Sequence, residues 1–136
     1  MYAAAGHDAT MQFYIAGSAK NHNQGGVTSA FVMRVDTLSA TTKWRKWVFD
    51  AGNMVNFERA TSIAVSLDGA AIAIHTQEIA NDYSRFSTFS NLRTSDGGMI
   101  TDSYRMQHGN AGKAEHAVTP RGMVYKDSTS LFVTFM

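Results

Sequence analysis

The chain has 136 residues and a net charge of +1, with 17% charged residues, so it lacks the basic field that nucleic-acid binding needs. It has no cysteine, which excludes disulfides and thiolate metal sites. Its apolar runs are all too short for a membrane-spanning helix, so insertion into a bilayer is not expected.

Read in order, the sequence falls into ten short apolar runs separated by polar or glycine-containing breaks. Residues 2–6 are mostly small. Residues 11–18 alternate, and a polar stretch, 19–28, follows. Residues 29–36 and 43–50 form the next two runs, with a turn over 37–42. Residues 60–66 and 71–76 flank Leu67-Asp68-Gly69, and Asp-Gly between apolar runs predicts a hairpin. After a predicted loop at 77–84 come residues 85–93, a turn at Ser95-Asp96-Gly97-Gly98, and residues 99–107. The last pair is the inner run around Val124 and residues 131–135. No window carries an apolar stripe of period 3.6 at helix length, so the chain is expected to be all-β.

The runs repeat. Asp68 and Val65 are matched by Asp127 and Val124 at an offset of 59, and Ser29-Ala30-Phe31 by Ser87-Thr88-Phe89 at 58. Trp47 matches Tyr104, and Glu58-Arg59-Ala60 matches Glu115-His116-Ala117, both at 57. Four short strands per unit, with small residues in the first, describe a four-stranded antiparallel β-propeller blade. Ala60, Ser62, Ala64 and Ser66 would line the narrow axis, while Trp44, Trp47, Phe49, Phe86, Phe89 and Tyr104 would fill the wider outer part. A β-sandwich is the rival, but it does not require a repeat near sixty residues. The expected division is a partial blade at 1–18, a blade at 19–76 and a blade at 77–136. That makes about 2.5 blades, whereas propellers close with four to eight. The expectation is therefore a partial or partner-completed propeller, with a self-assembled ring of copies as the alternative.

Ser29-Ala30-Phe31-Val32-Met33-Arg34-Val35-Asp36, the aromatic run from Trp44 to Gly52, and Glu58 through Ala64-Val65-Ser66-Leu67-Asp68-Gly69 resemble the SBBP-type β-propeller repeat. The later unit departs from that pattern at Asn91-Leu92-Arg93 and at Gly122. The resemblance implies the propeller fold, a scaffolding role within larger proteins, and an extracellular or periplasmic location. It implies no chemistry of its own.

Candidate chemistry is sparse. The histidines (His7, His22, His75, His108, His116) have no metal-ligand spacing, so neither a metal site nor a cofactor is expected. His75 is read as a loop-facing residue at a strand end. Gly25-Gly26 and Gly97-Gly98 open no helix and are turn glycines. One polar position recurs, Glu58 and Glu115, each followed by a basic partner, Arg59 and His116. These four are the candidate binding residues, as a ring of carboxylates at the axial rim. The competing reading is that each glutamate accepts backbone N–H bonds from the neighbouring blade and locks the joint.

Three functions follow: a non-catalytic scaffold or protein-interaction segment, whose partner is the rest of the propeller or other subunits; a carbohydrate-binding propeller lectin assembled from several copies, with inter-blade pockets on Trp44, Trp47 or Tyr104; and a fragment of a propeller enzyme. The first is expected, and the chain by itself is not expected to be an enzyme. The expected core is Phe31, Met33, Val35, Trp47, Phe49, Ile63, Val65, Ile72, Ile74, Phe89, Val124 and Phe132.

Overall fold

The computed structural model describes residues 3–21, 27–48, 55–80, 84–109, 120–127 and 130–135. Phe49 and all of residues 110–119, Glu115 and His116 among them, lie outside the described residues.

The chain is all-β. Its strands are β1 (Ala3–His7), β2 (Gln12–Asn21), β3 (Val27–Asp36), β4 (Thr42–Trp47), β5 (Val55–Val65), β6 (Ala71–Ala80), β7 (Arg85–Arg93), β8 (Tyr104–Gly109), β9 (Pro120–Tyr125) and β10 (Leu131–Phe135). The helical content among the described residues is one 3₁₀ turn, Asp8–Thr10. Consecutive strands pair antiparallel as β1-β2-β3-β4, as β5-β6-β7-β8 and as β9-β10. A single parallel bridge, Thr28 to Phe57, ties the first meander to the second, making one eight-stranded sheet beside the two-stranded one.

The turns form where their residues demand. At Leu67-Asp68-Gly69 the Asp68 carboxylate accepts from the Ser66 hydroxyl and the Ala70 amide, and Gly69 takes φ +71°. These bonds hold the Asp68 carboxyl below its ordinary range. A side chain on Gly69 would also meet the His7 ring at 2.9 Å, so the turn is packed as well as bent. Gly97 does the same for the β7–β8 connection, where a Cβ would stand 2.8 Å from the Trp44 ring. Asp36 accepts from the Leu38 and Ser39 amides and pairs with Lys43, which keeps its carboxyl far below the usual value.

The main core lies between the two meanders. Tyr14, Ala16, Ala30, Val32 and Val48 from the first meet Ala60, Ile63, Ile72, Ile74 and Leu92 from the second. A smaller core joins Ala64 and Ala73, on the opposite side of the second meander, to Met123, Tyr125 and Leu131 of the hairpin. β5 packs against β1 and β2 on one side and β9 on the other, so the first strands of the three units are neighbours.

Several expectations about the core are corrected by this packing. Ile63, Ile72 and Ile74 are buried, but on β3 the buried residues are Ala30 and Val32. Phe31, Met33 and Val35 point to the opposite face with Phe13 and Ile15, and there they are only half-buried. Trp47 lies on that outer face too, with its ring edge-on to Phe31 at 6.3 Å. Val65 and Phe89 are likewise half-buried. Val124 and Phe132 are exposed, at 61% and 59%, because their hairpin turns the alternate residues Tyr125 and Leu131 inward. The strands also run past their predicted ends. β6 continues through Ala80, so Gln77 and Glu78 are buried strand residues and not loop. β8 begins only at Tyr104, after an isolated bridge between Leu92 and Met99.

The hairpin is held to the second meander through Tyr125, whose hydroxyl donates to Asn91 Oδ1 at 2.9 Å. Burial, aided by the Asp68 carboxylate, pushes its phenol up to about 12 from 10.0. A raised folded-state value means that the protonated phenol favours the folded chain. Stability is then complete below about pH 10 and falls as pH rises from about 10 to 12. Tyr125→Phe should cost about 0.5–1.5 kcal/mol at neutral pH through the lost hydrogen bond. It should also flatten that alkaline decline, measured by urea unfolding from pH 9 to 12. Equal alkaline slopes for the two proteins would contradict the assignment.

Candidate functional site

Glu58 and Arg59 sit well inside β5, which starts at Val55, and so they are not part of a connection at a rim. Adjacent residues of a strand point to opposite faces. The Glu58 side therefore faces the first meander, and the Arg59 side faces away from it.

Glu58 is buried at 3% exposure, and its Oε2 accepts from the Ala30 amide of β3 at 3.2 Å. The carboxylate thus satisfies a main-chain donor in the neighbouring meander. Directly across from it on β6 is Glu78, also buried, which accepts from the Thr88 hydroxyl and pairs with Arg105 at 2.8 Å. The Arg105 guanidinium stacks on the Phe86 ring, 3.7 Å from its centroid. Two buried carboxylates side by side are costly unless bonded. Here a backbone N–H, a hydroxyl and a guanidinium supply the bonds.

On the opposite face, Arg59 donates through Nε and Nη2 to Gln77 Oε1, at 2.9 and 2.6 Å. Next along that face, His75 is fully buried in the middle of β6, which corrects its reading as a loop residue. Its Nε2 contacts Ser87 Oγ at 2.8 Å, its Nδ1 contacts the Thr61 hydroxyl, and its ring lies 4.8 Å from that of Phe89. A serine beside an imidazole is the start of a nucleophile–base pair. Ser87 and His75 are both at 0% exposure, however, so no substrate reaches them. Sequence spacing could not have paired these two; only the strand register brings residues 75 and 87 onto one face.

The residues offered for sugar binding separate. Trp44 is packed against Tyr14 and donates its indole N–H to the Thr94 carbonyl at 3.0 Å, as part of the core. Tyr104 is 66% exposed. Trp47 borders a cavity of about 260 Å³ between β4 and the β7–β8 connection, with Lys46, Ser90, Leu92, Met99 and Ser103. Among the described residues no carboxylate or amide side chain lines it. Among the described residues no three His, Cys, Asp or Glu side chains converge as a metal site, and no helix is long and apolar enough to cross a membrane.

No family model, curated protein or solved structure matches this chain.

The Glu58–Ala30 bond yields a test. Glu58→Ala leaves a buried N–H without its acceptor and should cost about 1–3 kcal/mol, whereas Glu58→Gln, which retains an oxygen, should cost less. Hydrogen exchange at the Ala30 amide should rise in Glu58→Ala while the Tyr14 to Arg34 ladder stays protected. Unchanged exchange at Ala30 would mean that the carboxylate does not hold that amide.

Proposed function

We propose that the chain is a non-catalytic segment of an SBBP-type β-propeller, a structural scaffold that engages protein neighbours within a larger protein or assembly. Each four-stranded meander is read as a blade, and β9–β10 as the inner pair of a third. Support comes from the order of pairing, from β1, β5 and β9 lying in series, and from small residues on the first two of those strands: Ala3 and Ala5, Ala60 and Ala64. In this reading Glu58 is the lock of a blade-to-blade joint; Glu115 and His116, which recur 57 residues later in the sequence, lie outside the described residues. The candidate binding residues then hold the scaffold together and do not face a ligand.

The observation that carries the proposal is the apolar surface left on the two outer faces of the stack. Phe13, Ile15, Phe31, Met33, Val35 and Trp47 share the outer face of β1–β4, and Val124 and Phe132 share that of β9–β10. Contiguous apolar sheet faces of this kind mark protein contact. The buried Ser87–His75 pair and the lack of a carboxylate at the inter-sheet cavity favour this over the enzyme and carbohydrate readings.

Residues 1–136 produced alone and sized by light scattering should run above the monomer mass, or aggregate, and should bind a hydrophobic dye. A stable, soluble monomer that binds no dye would overturn the proposal.

A further inference from the structure

We infer that the chain associates head to tail with a second copy of itself, the outer face of β1–β4 in one copy docking on the outer face of β9–β10 in the next. The inference rests on the propeller reading above and names its partner.

The chain shows the docking mode twice within itself. Each unit has a leading face, turned to the unit before it, and a trailing face, turned to the unit after it. The trailing face of β1–β4, with Tyr14, Ala16 and Val32, receives the leading face of β5–β8, with Ile63, Ile72 and Ile74. The trailing face of β5–β8, with Ala64 and Ala73, receives the leading face of the hairpin, with Met123, Tyr125 and Leu131. Among the described residues two faces have no sheet packed against them, and they are of opposite kind: the leading face of β1–β4 and the trailing face of β9–β10. A second copy supplies each with its missing counterpart and continues the interface already built inside the chain.

Strand register identifies the contact residues. Ile15 pairs with Ala4 as Ile74 pairs with Ile63, so Ile15 holds on the free leading face the place that Ile74 holds in the core. Phe132 pairs with Val124 as Ala73 pairs with Ala64, so Phe132 and Val124 hold the free trailing position. Ile15 is half-buried, and Val124 and Phe132 are exposed. The surfaces to be joined are Ala4, Gly6, Phe13 and Ile15 on one copy and Val124, Phe132 and Thr134 on the other; Arg45, on the same outer face, lies across the sheet on β4, exposed and over the Trp47 ring, outside that contact. Because the two faces differ, the contact is heterologous, and it extends to a ring or an open chain.

Ile15→Lys and Phe132→Lys each spoil one face and leave the other intact. Sized by light scattering at micromolar concentration, the unsubstituted chain should be oligomeric and each variant monomeric. An equimolar mixture of the two variants should form a dimer of twice the monomer mass, through the one interface with both faces intact. Circular dichroism checks that strand content is kept; Phe13→Lys and Val124→Lys replace any variant that fails it. If the unsubstituted chain is oligomeric but the mixture stays monomeric, or if either variant alone remains oligomeric, the head-to-tail inference falls and the propeller reading stands. If the unsubstituted chain is a soluble monomer that binds no hydrophobic dye, both fall.

Discussion

A pleated sheet has two faces, and in this chain both faces of the first meander and of the β9–β10 hairpin carry apolar residues. Most antiparallel sheets of small proteins bury one side and leave the other to water, which gives the usual alternation of apolar and polar residues. Here β2 carries Tyr14 and Ala16 on one side and Phe13 and Ile15 on the other, and β3 carries Ala30 and Val32 against Phe31, Met33 and Val35. A sheet of that kind needs a neighbour on each side. The packing follows from this requirement: the two meanders meet across one core, the second meander and the hairpin meet across another, and among the described residues the outer faces of β1–β4 and β9–β10 have no sheet against them.

Stacking alone would leave the relative position of the sheets loosely defined, because apolar contact is not directional. Polar groups define it. Glu58 reaches across the gap to the Ala30 amide, Trp44 donates to the Thr94 carbonyl, and Tyr125 donates to Asn91. Each of these bonds joins two different units, and each involves a buried or half-buried donor or acceptor that would otherwise be left without a partner. Gly97, with no side chain, lets the β7–β8 turn close against Trp44.

Much of this was legible in the residues. Asp68-Gly69 and Asp96-Gly97 marked their turns, period-2 alternation marked the strands, and the absence of a 3.6-residue stripe excluded long helices. The inward face of β3 was not legible. Alternation shows that Phe31, Met33 and Val35 share a side, but with both sides apolar it cannot say which one faces the core. Size misled, because the smaller Ala30 and Val32 occupy the close-packed gap between sheets. The repeat offsets misled in a related way. Matching Phe31 to Phe89 at 58 residues and Trp47 to Tyr104 at 57 looks natural in sequence. Strand pairing, however, sets Phe31 opposite Gly17 and Thr88 opposite Thr76, which makes Phe31 the equivalent of Thr88. Likewise Trp47 corresponds to Arg105. A slip of one residue exchanges the two faces of a strand. Gln77, Glu78 and His75 read as loop because their partners, Arg59, Arg105 and Ser87, become neighbours only after pairing.

The claim on which this account stands is that β3 turns Val32, and not Met33, toward the second meander. Nuclear Overhauser contacts between methyl groups in the isotope-labelled chain test it most directly. The account predicts contacts from the Val32 methyls to methyls of the Ile63, Ile72, Ile74 and Leu92 cluster, and none from Met33 to that cluster within the same chain. Contacts from Met33 to Ile72 or Ile74, with Val32 showing none, would contradict it.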